Sequence, residues 1–90
     1  MHPLEWKPIA EEDLAGILDF IAEDSPASAE RFAADIRAKA EKLRVHPELF
    51  RVGRKRGTRE MVVHPNYILI YWVLTTKVVI LRMKHTAQKI

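Results

Sequence analysis

Ninety residues, 48% hydrophobic and 30% charged, make a chain too apolar for disorder and too short for more than one domain. With no cysteine, disulfide scaffolds, thiolate metal sites and cysteine nucleophiles are excluded. No apolar run reaches the ~18 residues of a membrane span, and acidic residues occupy the stretch where a secretory signal would be apolar. The expectation is a cytosolic domain over residues 1–90 with no membrane contact and a thin stability margin that a partner would widen.

The net charge of +3 conceals two halves of opposite sign. Residues 1–35 hold nine acids against Lys7 and Arg31, whereas residues 36–90 hold thirteen bases against Glu41, Glu48 and Glu60. The densest basic stretch, Arg51 to Arg59, contains Arg51, Arg54, Lys55, Arg56 and Arg59 with no acid among them. Like charges at that density either form a solvated loop or meet an anionic partner, a phosphate backbone or an acidic polypeptide.

Leu4-Glu5-Trp6, between Pro3 and Pro8, predicts a short edge strand. Pro8 then suits the first position of a helix, and Glu11, Glu12 and Asp13 favour the positive end of its dipole. Leu14, Ile17, Leu18 and Ile21 form its apolar stripe, with Asp13, Asp19 and Glu23 on the wet side. Ser25-Pro26 caps and starts a second helix, whose stripe is Ala29, Phe32, Ala33, Ile36, Ala40 and Leu43. So short a link makes the two an antiparallel hairpin. His46-Pro47 is expected to stop the second helix, and 47–57 reads as loop.

Three strands follow, Thr58–Val63, Tyr67–Leu74 and Val78–Lys84, joined by turns short enough for hairpins. The predicted fold is α+β, in the order β-α-α-β-β-β, a helix hairpin packed on an antiparallel sheet. Pairing across the turns sets Val63 beside Tyr67, Met61 beside Leu69, Arg59 beside Tyr71, Tyr71 near Ile80 and Leu69 near Arg82. On that register Arg82 and Lys84 share a face with Val78 and Ile80, while His85 shares the face of Leu81 and Met83. Arg59 and His85 lie toward opposite ends of the sheet, roughly 16 Å apart. The central strand is apolar on both faces, so Tyr71 and Trp72 read as core. Two helices can cover only one of those faces; the other awaits loops, a C-terminal tail or another protein.

Chemistry-bearing motifs are few. His2, His46, His64 and His85 show no metal-ligand spacing, and no metal or cofactor is expected. Gly53 and Gly57 do not form a phosphate cradle between strand and helix. Ser25 and Ser28 are explained by capping, which removes hydrolase triads.

The ensemble Trp6…Asp13-Leu14…Ile17…Ile21-Ala22-Glu23, Ala29-Glu30-Arg31-Phe32, Leu43…His46-Pro47, Gly57-Thr58-Arg59-Glu60, Tyr67-Ile68-Leu69-Ile70-Tyr71 and Ile80-Leu81-Arg82…His85 covers nearly the whole chain. It resembles the RelE/ParE superfamily of bacterial toxin–antitoxin toxins. The resemblance implies a toxin neutralised by a cognate antitoxin in a hetero-oligomer, which would cover the spare apolar face. Nuclease members of the superfamily usually carry an arginine early in the central strand, where Ile68 stands here. Without that guanidinium, charge developing at a cleaved phosphate loses its electrostatic stabiliser. The ParE-like branch, acting on DNA gyrase by protein contact, is therefore the expectation.

Two alternatives stand beside that expectation. A RelE-like ribosome-dependent mRNA endoribonuclease would use Arg54, Lys55, Arg56 and Arg59 to grip RNA and His85 for proton transfer, with Glu48 or Lys55 as a further base. A non-toxic nucleic-acid-binding module would need only the basic cluster. In the ParE-like reading, Arg51, Arg54, Lys55, Arg56 and Arg59 contact the target, and Arg82 and Lys84 pair with acids of the antitoxin.

Overall fold

The computed structural model describes residues 1–87. Its elements are β1 (Leu4–Trp6), α1 (Pro8–Asp24), α2 (Pro26–Glu41), a 3-10 turn (Lys42–Arg44), β2 (Arg51–Val52), β3 (Thr58–His64), β4 (Tyr67–Val73) and β5 (Val78–His85). They build a five-stranded sheet in the order β1-β5-β4-β3-β2. β1 runs parallel to β5, and every other neighbouring pair is antiparallel. The β-α-α-β-β-β order is as predicted, with one addition. β2 lies inside the segment read as loop, where Arg51 pairs with Glu60 and Val52 with Arg59. Two residues carry no periodicity, so only the tertiary pairing reveals this strand.

Both helices begin on proline. The Ser25 hydroxyl caps α2 by accepting the Ser28 N–H at 3.1 Å. α2 stops at Glu41, earlier than His46-Pro47; the chain tightens through the 3-10 turn, and the His46 N–H bonds the Lys42 carbonyl at 3.0 Å. Leu14, Ile36 and Leu43 meet Met61, Leu69, Tyr71, Val78, Ile80 and Met83 on one sheet face. Full burial of each such side chain contributes about 1.5–3 kcal/mol. Ala10 and Ala40, both fully buried, leave room for the helices to approach.

The register departs from expectation at two irregularities. Between β3 and β4, Val62 faces Ile68 but His64 faces Tyr67, so Val63 is not the partner of Tyr67. Between β4 and β5, Tyr71 faces Ile80 but Ile70 faces Arg82, which leaves Leu81 as the extra residue. Leu69 consequently pairs with Met83, not with Arg82. One inserted residue reverses every side chain beyond it. Met83 therefore joins Val78 and Ile80 in the helix-side core, while Arg82 and Lys84 sit opposite Ile70 and Ile68 on the other, open face.

That open face is partly covered by the chain itself. The β2–β3 loop folds back over it, and Thr58, Glu60, Ile68, Ile70 and Val79 are all buried. Val62 stays 54% exposed and Trp72 39%, so Trp72 is not the core residue expected. The end of the C-terminal tail, considered above as cover for this face, lies outside the described residues. No helix among the described residues is long and apolar enough to cross a membrane.

Candidate functional site

The five cations of 51–59 separate into two groups. Glu60, only 3% exposed, accepts Arg51 through Oε1, with Nη2 at 2.9 Å and Nε at 3.1 Å. Its Oε2 accepts the backbone N–H of Arg54 at 3.3 Å and lies 4.0 Å from the Arg54 Nε. Arg59 turns toward the loop after the 3-10 turn, where Nη1 donates to the carbonyls of Phe50 at 2.8 Å and Glu48 at 3.3 Å. These three arginines shape the loop. Lys55 and Arg56 at its tip are exposed, with no anionic partner among the described residues.

The tip is held tightly. Thr58 Oγ1 donates to the Lys55 carbonyl at 2.6 Å, and the Gly53 N–H donates to the Thr58 carbonyl at 2.8 Å. A Cβ on Gly53 would fall 2.2 Å from Thr58 Oγ1. Gly57 adopts φ +82°, a conformation that favours glycine.

Folded back in this way, the tip meets the far end of β5. Lys55, Arg56, Thr58, Ile70, Trp72, Leu81, Arg82 and Lys84 enclose a recess of about 410 Å³ on the open face. Its floor is apolar, from Ile70, Trp72 and Leu81, and its rim is basic. The fold thus unites two cationic groups that the sequence keeps about 30 positions apart. Within the rim, Arg82 is already engaged. Its Nε and Nη2 donate to the two carboxylate oxygens of Asp13 at 2.8 and 3.0 Å, so Asp13 is not a wet-face residue. Lys84 makes no ion pair of that kind among the described residues, although its charge acts on the same Asp13.

A second depression, about 440 Å³, lies on the other flank of β5 against α1, where Glu12, Asp13, Ile17, Phe20 and His85 line it. His85 stacks edge-on against Tyr67, ring centroids 5.4 Å apart, and its Nδ1 accepts the Ala87 N–H at 3.1 Å. Tyr67 also touches Phe32 of α2, which places His85 on the helix side. Arg59 pairs with Tyr71 and His85 with Tyr67, four positions apart along β4, or roughly 13 Å. His85, Arg59 and the Lys55–Arg56 tip are therefore not brought into one site. Among the described residues no three His, Cys, Asp or Glu side chains converge as metal ligands.

Sequence reasoning missed Glu60 as the anchor of the basic loop and Trp72 as part of an accessible floor. Glu60 had a legible signal, since it is the acid that ends the all-basic stretch. Trp72 had none, because it sits in a run apolar on both faces.

Residues 4–90 match the profile of the ParE toxin of the type II toxin–antitoxin system, parDE. The chain belongs to the ParE toxin family. Over 83 residues, 92% of this ParE-family chain and 91% of the relative, it is 36% identical to Toxin RelE2 of Caulobacter vibrioides. Toxin RelE3 of the same organism is 30% identical over 99% of both chains. The fold is shared with the chromosomal ParDE TA system from P. aeruginosa, at a TM-score of 0.84 and 22% identity over 94% of this chain and 96% of that one. It is shared more loosely with the RelBE2 toxin–antitoxin complex of Mycobacterium tuberculosis, at a TM-score of 0.59 and 25% identity over 93% and 96%. This ParE-family protein is thus a toxin of the RelE/ParE superfamily.

Proposed function

We propose that this ParE-family toxin is neutralised by a cognate antitoxin and, when released, inhibits DNA gyrase by protein contact without catalysing bond cleavage. The observation that carries the reading is Ile68. It stands where nuclease members are expected to have an arginine, and it is 1% exposed, paired with Val62 on one side and Lys84 on the other. An alkyl group there gives no stabilisation to a pentacovalent phosphate. The position of His85, across the sheet from the Lys55–Arg56 tip, supports the same conclusion, because a proton donor must lie within hydrogen-bond reach of the reacting group.

In this reading Lys55 and Arg56 supply the free charge that meets the target, while Arg51, Arg54 and Arg59 fix the loop that presents them. Lys84 is available to an antitoxin carboxylate as it stands. Arg82 is available only if that carboxylate displaces or shares the place of Asp13. An antitoxin that also covers Val62 and Trp72 would remove the spare apolar surface.

Induced expression without antitoxin tests the proposal in cells. The expected result is growth arrest with a DNA-damage response and intact mRNA, unchanged by His85→Ala. A second reading, ribosome-dependent mRNA cleavage, draws on the basic recess and on the RelE names of the relatives at 36% and 30% identity. Codon-specific cuts in mRNA that disappear with His85→Ala would establish it instead.

A further inference from the structure

We infer that the open-face recess is a binding site for a free nucleoside polyphosphate. The inference goes beyond the toxin reading and does not depend on the gyrase target. Lys55 and Arg56 reach the recess without anionic partners among the described residues, Lys84 adds a cation whose charge also acts on Asp13, and Arg82 adds a guanidinium already oriented by Asp13. Like charges gathered around an apolar floor repel one another, and an anion that joins them relieves that repulsion. The floor is Ile70, Leu81 and the half-exposed indole of Trp72, which suits a planar, weakly polar group. A recess of about 410 Å³ falls within the ~300–1,000 Å³ of small-molecule sites. A ligand with a flat aromatic end and a polyanionic end satisfies both halves, and a nucleoside di- or triphosphate is that ligand.

The same residues disfavour a nucleic-acid strand. Strand-binding grooves present a continued track of cations and several stacking aromatics. Here Arg51 and Arg54 turn to Glu60, and Arg59 to loop carbonyls, so none of the three lines the recess. Tyr67 and Tyr71 lie on the helix-side face, and Trp72 is the one aromatic ring among the residues that line the recess. One ring and one cluster of charges fit one nucleotide.

The test is a titration of the full chain with ATP or GTP, following the two indole N–H resonances by NMR. The expected result is a saturable shift of Trp72 with Trp6 unmoved, and a Kd on the order of 100 µM. A Lys55→Ala/Arg56→Ala/Lys84→Ala variant, altered at two exposed groups and one partly exposed one, should retain the folded spectrum and lose more than about tenfold in affinity. The inference is overturned if Trp72 does not respond at about 5 mM nucleotide. It is also overturned if inorganic triphosphate binds as tightly as ATP, or if a short single-stranded oligonucleotide binds about tenfold more tightly than either nucleotide.

Discussion

Asp13 and Arg82, 69 positions apart in the chain, are joined by a two-pronged ion pair that closes an open sheet edge. β1 pairs with β5 only over Val78 to Ile80. Beyond Ile80 the edge of β5 has no strand partner among the described residues, yet Asp13 Oδ2 also accepts the Met83 N–H at 2.9 Å. A helix carboxylate thus replaces the next strand at that edge. On the opposite flank, Lys39 Nζ donates to the Val63 carbonyl at 2.7 Å, beyond the reach of the two-residue β2. Each edge is blunted by one charged side chain from a helix, which discourages pairing with another copy.

Asp13→Asn should lower stability at neutral pH by about 1–2 kcal/mol, a value reduced because the Arg82 guanidinium is partly in water. Burial alone would raise the Asp13 carboxyl, but the Arg82 and Met83 hydrogen bonds and the Lys84 charge outweigh it, so it lies below its ordinary 3.8. A depressed carboxyl stabilises the fold above its unfolded pKa and loses that contribution as the pH falls through its folded value. Urea unfolding of wild type and variant should therefore differ near neutrality and converge only as the pH falls through the depressed folded value of Asp13.

Hydrogen exchange should show the edge function directly. The Met83 amide is expected to be protected in the wild type and to exchange at least about tenfold faster in Asp13→Ala, while the Leu69 amide inside the sheet is little changed.

Tyr71, fully buried, donates its hydroxyl to the Pro47 carbonyl. Tyr71→Phe should cost about 1 kcal/mol by leaving that carbonyl without its partner. Burial pushes the phenol up from 10.0 to about 12, against the opposing charge of Arg59 and with help from Glu48. The fold favours the protonated phenol, so this contribution is complete below pH 10 and is lost as pH rises toward 12. Ultraviolet titration should show a tyrosine ionising near 12 that is missing from Tyr71→Phe.

The three glycines should respond differently to alanine. Gly53→Ala drives a Cβ against the hydrogen-bonded Thr58 hydroxyl and should cost about 1–3 kcal/mol. Gly57→Ala meets no atom within 4 Å but is strained at φ +82°, for about 1–2 kcal/mol. Gly16→Ala, on an open helical surface, should stabilise by about 0.5–1 kcal/mol. Thermal or urea unfolding of the three variants checks the order.

The elements were legible because their signals are local. The stripe through Leu14, Ile17, Leu18 and Ile21, and the Ser25-Pro26 start of α2, need nothing beyond neighbouring residues. The site was less legible, and Leu81 is the physical reason. In a strand whose residues are apolar on both faces, hydrophobic alternation does not mark where one extra residue enters, so Arg82 and Lys84 were assigned to the wrong face. Cations could be read from the sequence, whereas their partners could not. Glu60 engages Arg51 and Arg54 through the fold of the loop, and Asp13 engages Arg82 from 69 positions away, and together they decide which charges remain for a ligand.

The gyrase claim is tested most directly by a supercoiling assay with purified toxin, the toxin bound to its antitoxin serving as control. The account predicts dose-dependent loss of supercoiling by free toxin, full activity when antitoxin is bound, and undiminished inhibition by His85→Ala. Supercoiling that persists at a large molar excess of folded, free toxin would contradict it.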